Sequence, residues 1–162
     1  MLYGYSQTNA FPQQQTHLSF FKDGITVNSQ NLICPFFVVE FKVDGPSGGG
    51  SMWMATNQCL GGSASCVNIA ERLSRQFKNK KVRASDSAAF SIAMNGMEAR
   101  LFITWKHDEL KYYMRKVRSF LLQDPEHYAK FLKYVLNIIH WGMGERLKGI
   151  QNSLDTFLEE ER

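Results

Sequence analysis

Two charged side chains stand where a strand should be apolar. The stretch ICPFFVVEFKV, residues 33–43, is rich in β-branched and aromatic residues and predicts the strongest strand of the chain. Pro35 marks its start and Asp44-Gly45-Pro46 its end. Successive side chains on a strand point to opposite faces, so Phe37, Val39, Phe41 and Val43 share one face and are all apolar. Phe36, Val38, Glu40 and Lys42 share the other, which ends in a carboxylate and an ammonium about 6.8 Å apart along the strand. Burying either ion is costly unless it is paired or bound to a metal. Glu-x-Lys on a strand suits metal-dependent phosphodiester cleavage. The Glu40 carboxylate is a hard ligand for Mg²⁺, which binds protein through one or two carboxylates plus water and phosphate. The metal would lower the pKa of a bound water and neutralise charge on the phosphate. Lys42, facing the same side, would orient that water or stabilise the transition state. One carboxylate is not a full metal site, so a further acidic group is required. The plain alternative is an ion pair at a frayed strand end, close to neutral in energy. Spacing does not decide between them, because Glu109-Leu110-Lys111 repeats the pattern on a polar segment.

A second concentration of chemistry is basic. Arg72, Arg75, Lys78, Lys80, Lys81 and Arg83 fall within twelve positions, and Lys106, Lys111, Arg115, Lys116 and Arg118 follow. The formal net charge is +4, reduced by Asp155 and Glu159 to Glu161 at the C-terminus. Lys and Arg displace counterions from nucleic acid, so the 72–83 cluster is the candidate nucleic-acid-binding surface; a solvated helix end is the alternative. Other chemistries fall away. His17, His107, His127 and His140 show no pair at ligand spacing and there is no CxxC, which argues against zinc. The SGGG run lacks the Gly-Lys-Ser/Thr of a phosphate loop, and no GxSxG is present. Trp53, Trp105 and Trp141 read as core or edge residues. Three scattered cysteines exclude a disulfide framework and fit a reducing compartment. MLYGYSQTNAF has no signal-peptide pattern, and no apolar run is long enough to span a bilayer, so an intracellular site in cytoplasm or nucleus is expected.

The elements that must position these residues can be read in outline. The length suits one domain over residues 1–162. Residues 7–16, QTNAFPQQQT, read as a polar loop, and Asp23-Gly24 as the turn of a hairpin over 17–28. A helix is predicted over 52–79, with Gly61-Gly62 allowing either close approach to a sheet or a local break. Asn95-Gly96 marks a second hairpin with arms 87–94 and 97–106, and residues 110–121 favour another strand over a helix. Asp124-Pro125 opens a helix to about residue 140, which Trp141-Gly142-Met143-Gly144 should break before a last helix. The sum is an α+β domain with a mainly antiparallel or mixed sheet, one long crossing helix and two C-terminal helices.

The blocks LYGYS, PFFVVEFK, the Gly-rich connector, ATNQCLGGSASC and NIIHWGMGERLKGI together resemble a fungal domain family of unknown function. That family is related to the PD-(D/E)XK nuclease-like superfamily of restriction-endonuclease-like folds. The resemblance runs from Leu2 to about Phe157 and rests on the ordered set of blocks. It implies a restriction-endonuclease-like core, Glu40 and Lys42 on the metal-binding strand, Gln58 facing the same pocket, Mg²⁺ as cofactor and nucleic acid as partner. It also implies an acidic residue just before the Leu-Tyr-Gly-Tyr block and a helix ahead of it. The chain reads as a copy truncated at its N-terminus and lacking both, so it is either a nuclease or a non-catalytic binding or interaction module on the same fold. Asp23, on its own residues, is better explained as part of a turn than as the missing ligand.

Overall fold

The computed structural model describes residues 1–14, 18, 26–27, 32–43, 50–76 and 87–159. Among them the central element is a six-stranded mixed sheet. Its strands are β1 (Leu2–Ser6), β2 (Thr26–Val27), β3 (Leu32–Phe41), β4 (Ala89–Met94), β5 (Glu98–Lys106) and β6 (Tyr112–Leu121). Their order is β1-β3-β4-β5-β6, with β2 also pairing β3. β3 and β4 run parallel; every other pair is antiparallel. The helices are α1 (Gln7–Ala10), α2 (Met52–Gln76), α3 (Pro125–Trp141) and α4 (Leu147–Glu159).

Parallel neighbours require a crossover, and α2 supplies it. Ala55, Cys59, Ser63, Cys66, Val67, Ala70 and Leu73 recur at helical spacing and are all buried. Small residues bring the helix close to the sheet. A Cβ at Gly62 would lie 3.2 Å from Val38 Cγ1, whereas one at Gly61 would meet nothing within 4 Å. The close-approach reading of the glycine pair therefore holds for Gly62 alone, and the helix is continuous through both.

β4 shows how the sheet divides two cores. Ala89 and Ala93 pack with α2, in clusters containing Val38, Cys66 and Val67, and Ala55, Cys59 and Phe102. Ile92 and, half-buried, Phe90 join Leu101, Phe120, Phe131, Ile138, Ile150 and Leu154 in the other core. α2 covers one face of the sheet, α3 and α4 the other, and the fold is α+β as expected.

The Asn95-Gly96 hairpin forms where predicted. Asn95 Oδ1 accepts hydrogen bonds from the backbone N–H of Met97 at 2.9 Å and Glu98 at 2.8 Å. Residues 112–121 form a strand, and Asp124 caps α3 by accepting from the N–H of Glu126 and His127, with Pro125 opening the helix.

Two expectations need correction, and one sequence block gains an assignment. The polar segment 7–16 contains a helical turn, and its Ala10, Phe11 and Gln14 are buried, because Phe11 packs edge-on against Tyr5. LYGYS, read only as a family block, is an edge strand. Trp141 to Gly144 does not break the C-terminal helix. A π-helical turn over Gly142–Arg146 joins α3 to α4, and Gly142 is needed because Phe36 occupies the space its Cβ would fill. The hairpin turn at Asp23-Gly24, the connector at 44–49 and residues 77–79 of the long helix lie outside the described residues. No helix among the described residues is long and apolar enough to cross a membrane.

Candidate functional site

The α2-facing side of the sheet is apolar along most of its length and polar at one end. Val38 meets Gly62, and two residues further along β3 Glu40 lies beside Cys59 of α2. Burial pushes the Cys59 thiol up to about 11, with a hydrogen bond from Ser91 opposing and the Glu40 charge adding to the rise. Glu40 and Lys42 are both partly buried. The backbone N–H of Lys42 donates to the Met94 carbonyl at 3.0 Å, which anchors the strand end to β4. The Lys42 stem is covered by Gly50, where an added Cβ would fall 2.7 Å from Lys42 Cδ. Gly50 also has φ +127°, a conformation open to glycine and strained for other residues. The position before α2 thus shapes where the ammonium can reach.

Register carries the polar end across the sheet. Glu40 pairs with Ala93, and Ala93 with Arg100. Glu98 and Arg100 alternate with Phe102 and Thr104 on this same face, since Phe102 packs with Ala55 and Cys59 while Thr104 hydrogen-bonds Ser63 of α2 at 2.7 Å. The small Ala93 side chain lies between Glu40 and Arg100, whose backbones are about 10 Å apart across two strand spacings. Arg100 Nη2 pairs with Glu98 Oε1 at 2.6 Å. Sequence reasoning missed Glu98 and Arg100. Their place beside the Glu-x-Lys strand follows from the parallel β3–β4 pairing, which no local pattern announces.

Gln58 is exposed on α2, one residue before Cys59. Arg72 and Arg75 are exposed near the end of α2, and Arg75 is bound to Glu109 at 2.7 Å. Lys78, Lys80, Lys81 and Arg83 lie outside the described residues. Trp53 is 72% exposed, against the expectation of a core or edge role, whereas Trp141 is half-buried between Phe36 and Phe90.

Glu40 supplies one hard oxygen ligand group. Among the described residues no three His, Cys, Asp or Glu side chains converge, so a Mg²⁺ ion here would be held by the Glu40 carboxylate with water and phosphate oxygens. What the arrangement can do unaided is bind. Lys42 and Arg100 are cations at one end of the sheet face that carries Glu40, with Arg100 held by Glu98. The antiparallel neighbour β1 completes this end. Met1 and Val39 exchange backbone hydrogen bonds at 2.7 and 2.8 Å, which carries the pairing with β1 to within one residue of Glu40.

No curated protein and no solved structure matches the chain. A family model matches residues 1–154, nearly all of the chain, and on that match this protein belongs to the family described as a domain of unknown function, DUF7924.

Proposed function

We propose that this chain is a PD-(D/E)XK nuclease-like domain directed at the phosphodiester backbone of nucleic acid, with the Glu40–Lys42 end of β3 as its site. The observation that carries the reading is the neighbourhood of that strand end. The antiparallel strand β1 runs beside it, with Met1, just ahead of β1, against Val39, and a crossing helix over the same face returns the chain to a parallel neighbour. The resemblance implies an acidic residue on the strand before the Glu-x-Lys strand, and β1 is a neighbour of β3 that precedes it in the chain. Lys42 would meet a phosphate oxygen, Arg100 would add a second cation, and Gln58 would support the rim. A Mg²⁺ ion, where bound, would supply Lewis acidity to the phosphate.

A second reading is a binding module on the same fold that does not cut. Lys42 and Arg100, two cations on the face of Glu40, favour it, because holding a phosphate with them needs no metal. One set of measurements separates the two. The purified chain is assayed on DNA and RNA with Mg²⁺ or Mn²⁺ beside Glu40→Ala and Lys42→Ala, and Mn²⁺ binding is followed by calorimetry. Cleavage lost in both variants supports the nuclease. Salt-sensitive binding without metal uptake or cleavage supports the module. Equal cleavage in all three proteins would remove Glu40 and Lys42 from the mechanism.

A further inference from the structure

The outer edge of the sheet carries a second surface that the Glu40 site does not use. β6 is the terminal strand, and among the described residues nothing pairs with its far side. Trp105 and Tyr113 are direct cross-strand partners whose rings stack at 6.0 Å, and they are 37% and 46% exposed. His107 meets Tyr113 edge-on at 5.1 Å. Arg115 pairs with Ile103 and Arg118 with Leu101, so both emerge on the face that carries Trp105 and Tyr113.

The charge there is unopposed. Asp108 is engaged by Lys111 at 3.5 Å, and Glu109 by Arg75 at 2.7 Å and Lys106 at 3.4 Å. Arg115, Lys116 and Arg118 are exposed and form no ion pair among the described residues. The β6 register slips between the partners of Leu101 and Phe102, leaving Val117 as an extra, bulged residue. A bulge and a row of outward cations are what blunt an edge against a further strand. An acidic peptide would satisfy the charges but not the stacked rings. A single-stranded nucleic acid satisfies both, with phosphates on the arginines and bases on the aromatic faces.

We infer that the β5–β6 edge is a single-stranded nucleic-acid platform, with Trp105 and Tyr113 stacking bases and Arg115 and Arg118 holding phosphates. It shares its class of ligand with the proposed function and is otherwise independent of Glu40, because it needs no metal.

The test is fluorescence anisotropy with a labelled oligothymidylate of about 15 nucleotides, near the upper site size for one such module, in EDTA and over a range of salt. Trp105→Ala and Tyr113→Ala should each weaken binding by about 5- to 150-fold, and Trp105→Phe should retain most of it. Arg115→Gln combined with Arg118→Gln should flatten the log–log salt slope by roughly 1.4. The arginines are exposed, so this variant keeps the test open if an aromatic variant fails to fold, as judged by thermal melting. Glu126→Gln, an exposed substitution on α3 outside both sites, should bind as the wild type does. Absence of binding, an unchanged slope in the arginine variant, or tighter binding of duplex or of polyglutamate overturns the proposal. Loss of binding in Glu40→Ala alone would move the ligand to the other site. Loss of cleavage there with binding intact would leave the platform standing.

Discussion

Arg146 Nη1 donates a hydrogen bond to the Tyr5 hydroxyl at 3.1 Å, and that hydroxyl donates in turn to the Gly142 carbonyl. The pair ties edge strand β1 to the π-turn. Arg146 is buried with no carboxylate partner among the described residues. Its guanidinium lies over the rings of Tyr5, Phe36 and Trp141 at 5.4 to 5.8 Å, and Nη1 also donates to the Cys34 carbonyl at 3.1 Å. Cys34 holds φ +43°, which turns that carbonyl toward the guanidinium. Tyr5→Phe leaves a buried donor and a buried acceptor each short of a partner, and should cost about 2 kcal/mol in urea unfolding. Arg146→Met should cost less than Arg146→Ala, because it keeps the apolar volume among the three rings. Equal costs would show that the charge and its hydrogen bonds, and not the packing, hold the turn.

The two adjacent glycines of α2 should respond differently. Gly61→Ala adds a methyl to open space on a helix and should stabilise by about 0.5–1 kcal/mol. Gly62→Ala gains the same propensity but presses on Val38, so its melting temperature should fall below that of Gly61→Ala. Equal gains would mean that the helix can lift from the sheet at no cost.

Backbone hydrogen bonds from His127 and Glu126 hold the Asp124 carboxyl below its usual range. A lowered folded-state pKa contributes stability that is present above the unfolded value and is lost as pH falls through the folded one. Asp124→Ala should therefore melt below the wild type at neutral pH, and the two should converge in acid. Asp124→Asn, which keeps the cap, should lie between them at neutral pH. Melting curves from neutral pH down through the carboxylate range read this directly.

At the candidate site the β1–β3 register gives a gain-of-function test. Leu2 pairs with Val38 and Tyr3 with Phe37, so a residue placed one position before Met1 would pair with Glu40 on its own face. A chain extended by Met-Asp should take up Mn²⁺ more tightly in calorimetry than the unextended chain, and Glu40→Ala should abolish the gain. Unchanged uptake would separate Glu40 from any acidic partner on β1.

Local chemistry was what the residues made legible. Asn95-Gly96 fixes its own turn, Asp124-Pro125 caps its own helix, and the alternation around Leu101, Ile103 and Trp105 marks a strand without help from the rest of the chain. β1 was hidden because LYGYS is short and carries a glycine, at a point where a Cβ would meet Leu32 and Pro35 of the partner strand. The site was half legible. Glu40 and Lys42 stand out against an apolar strand, but Glu98 and Arg100 join them through a pairing that depends on where α2 sets β4 down. Gly50 looked like spacer and is a contact on the Lys42 stem.

The widened turn at Gly142–Arg146 acts as a phase corrector. Ile138 and Ile150 are both buried in the same core. An uninterrupted α-helix between them would turn roughly 1200° and leave the two side chains about 120° out of line, whereas one residue fewer in the count leaves about 20°. The surplus residue taken up by the π-turn lets one rod keep a single apolar row against the sheet through both halves. Deleting Gly144 would remove that surplus, and a regular α-helix would then keep Ile150 and Leu154 on the same row without the wide turn.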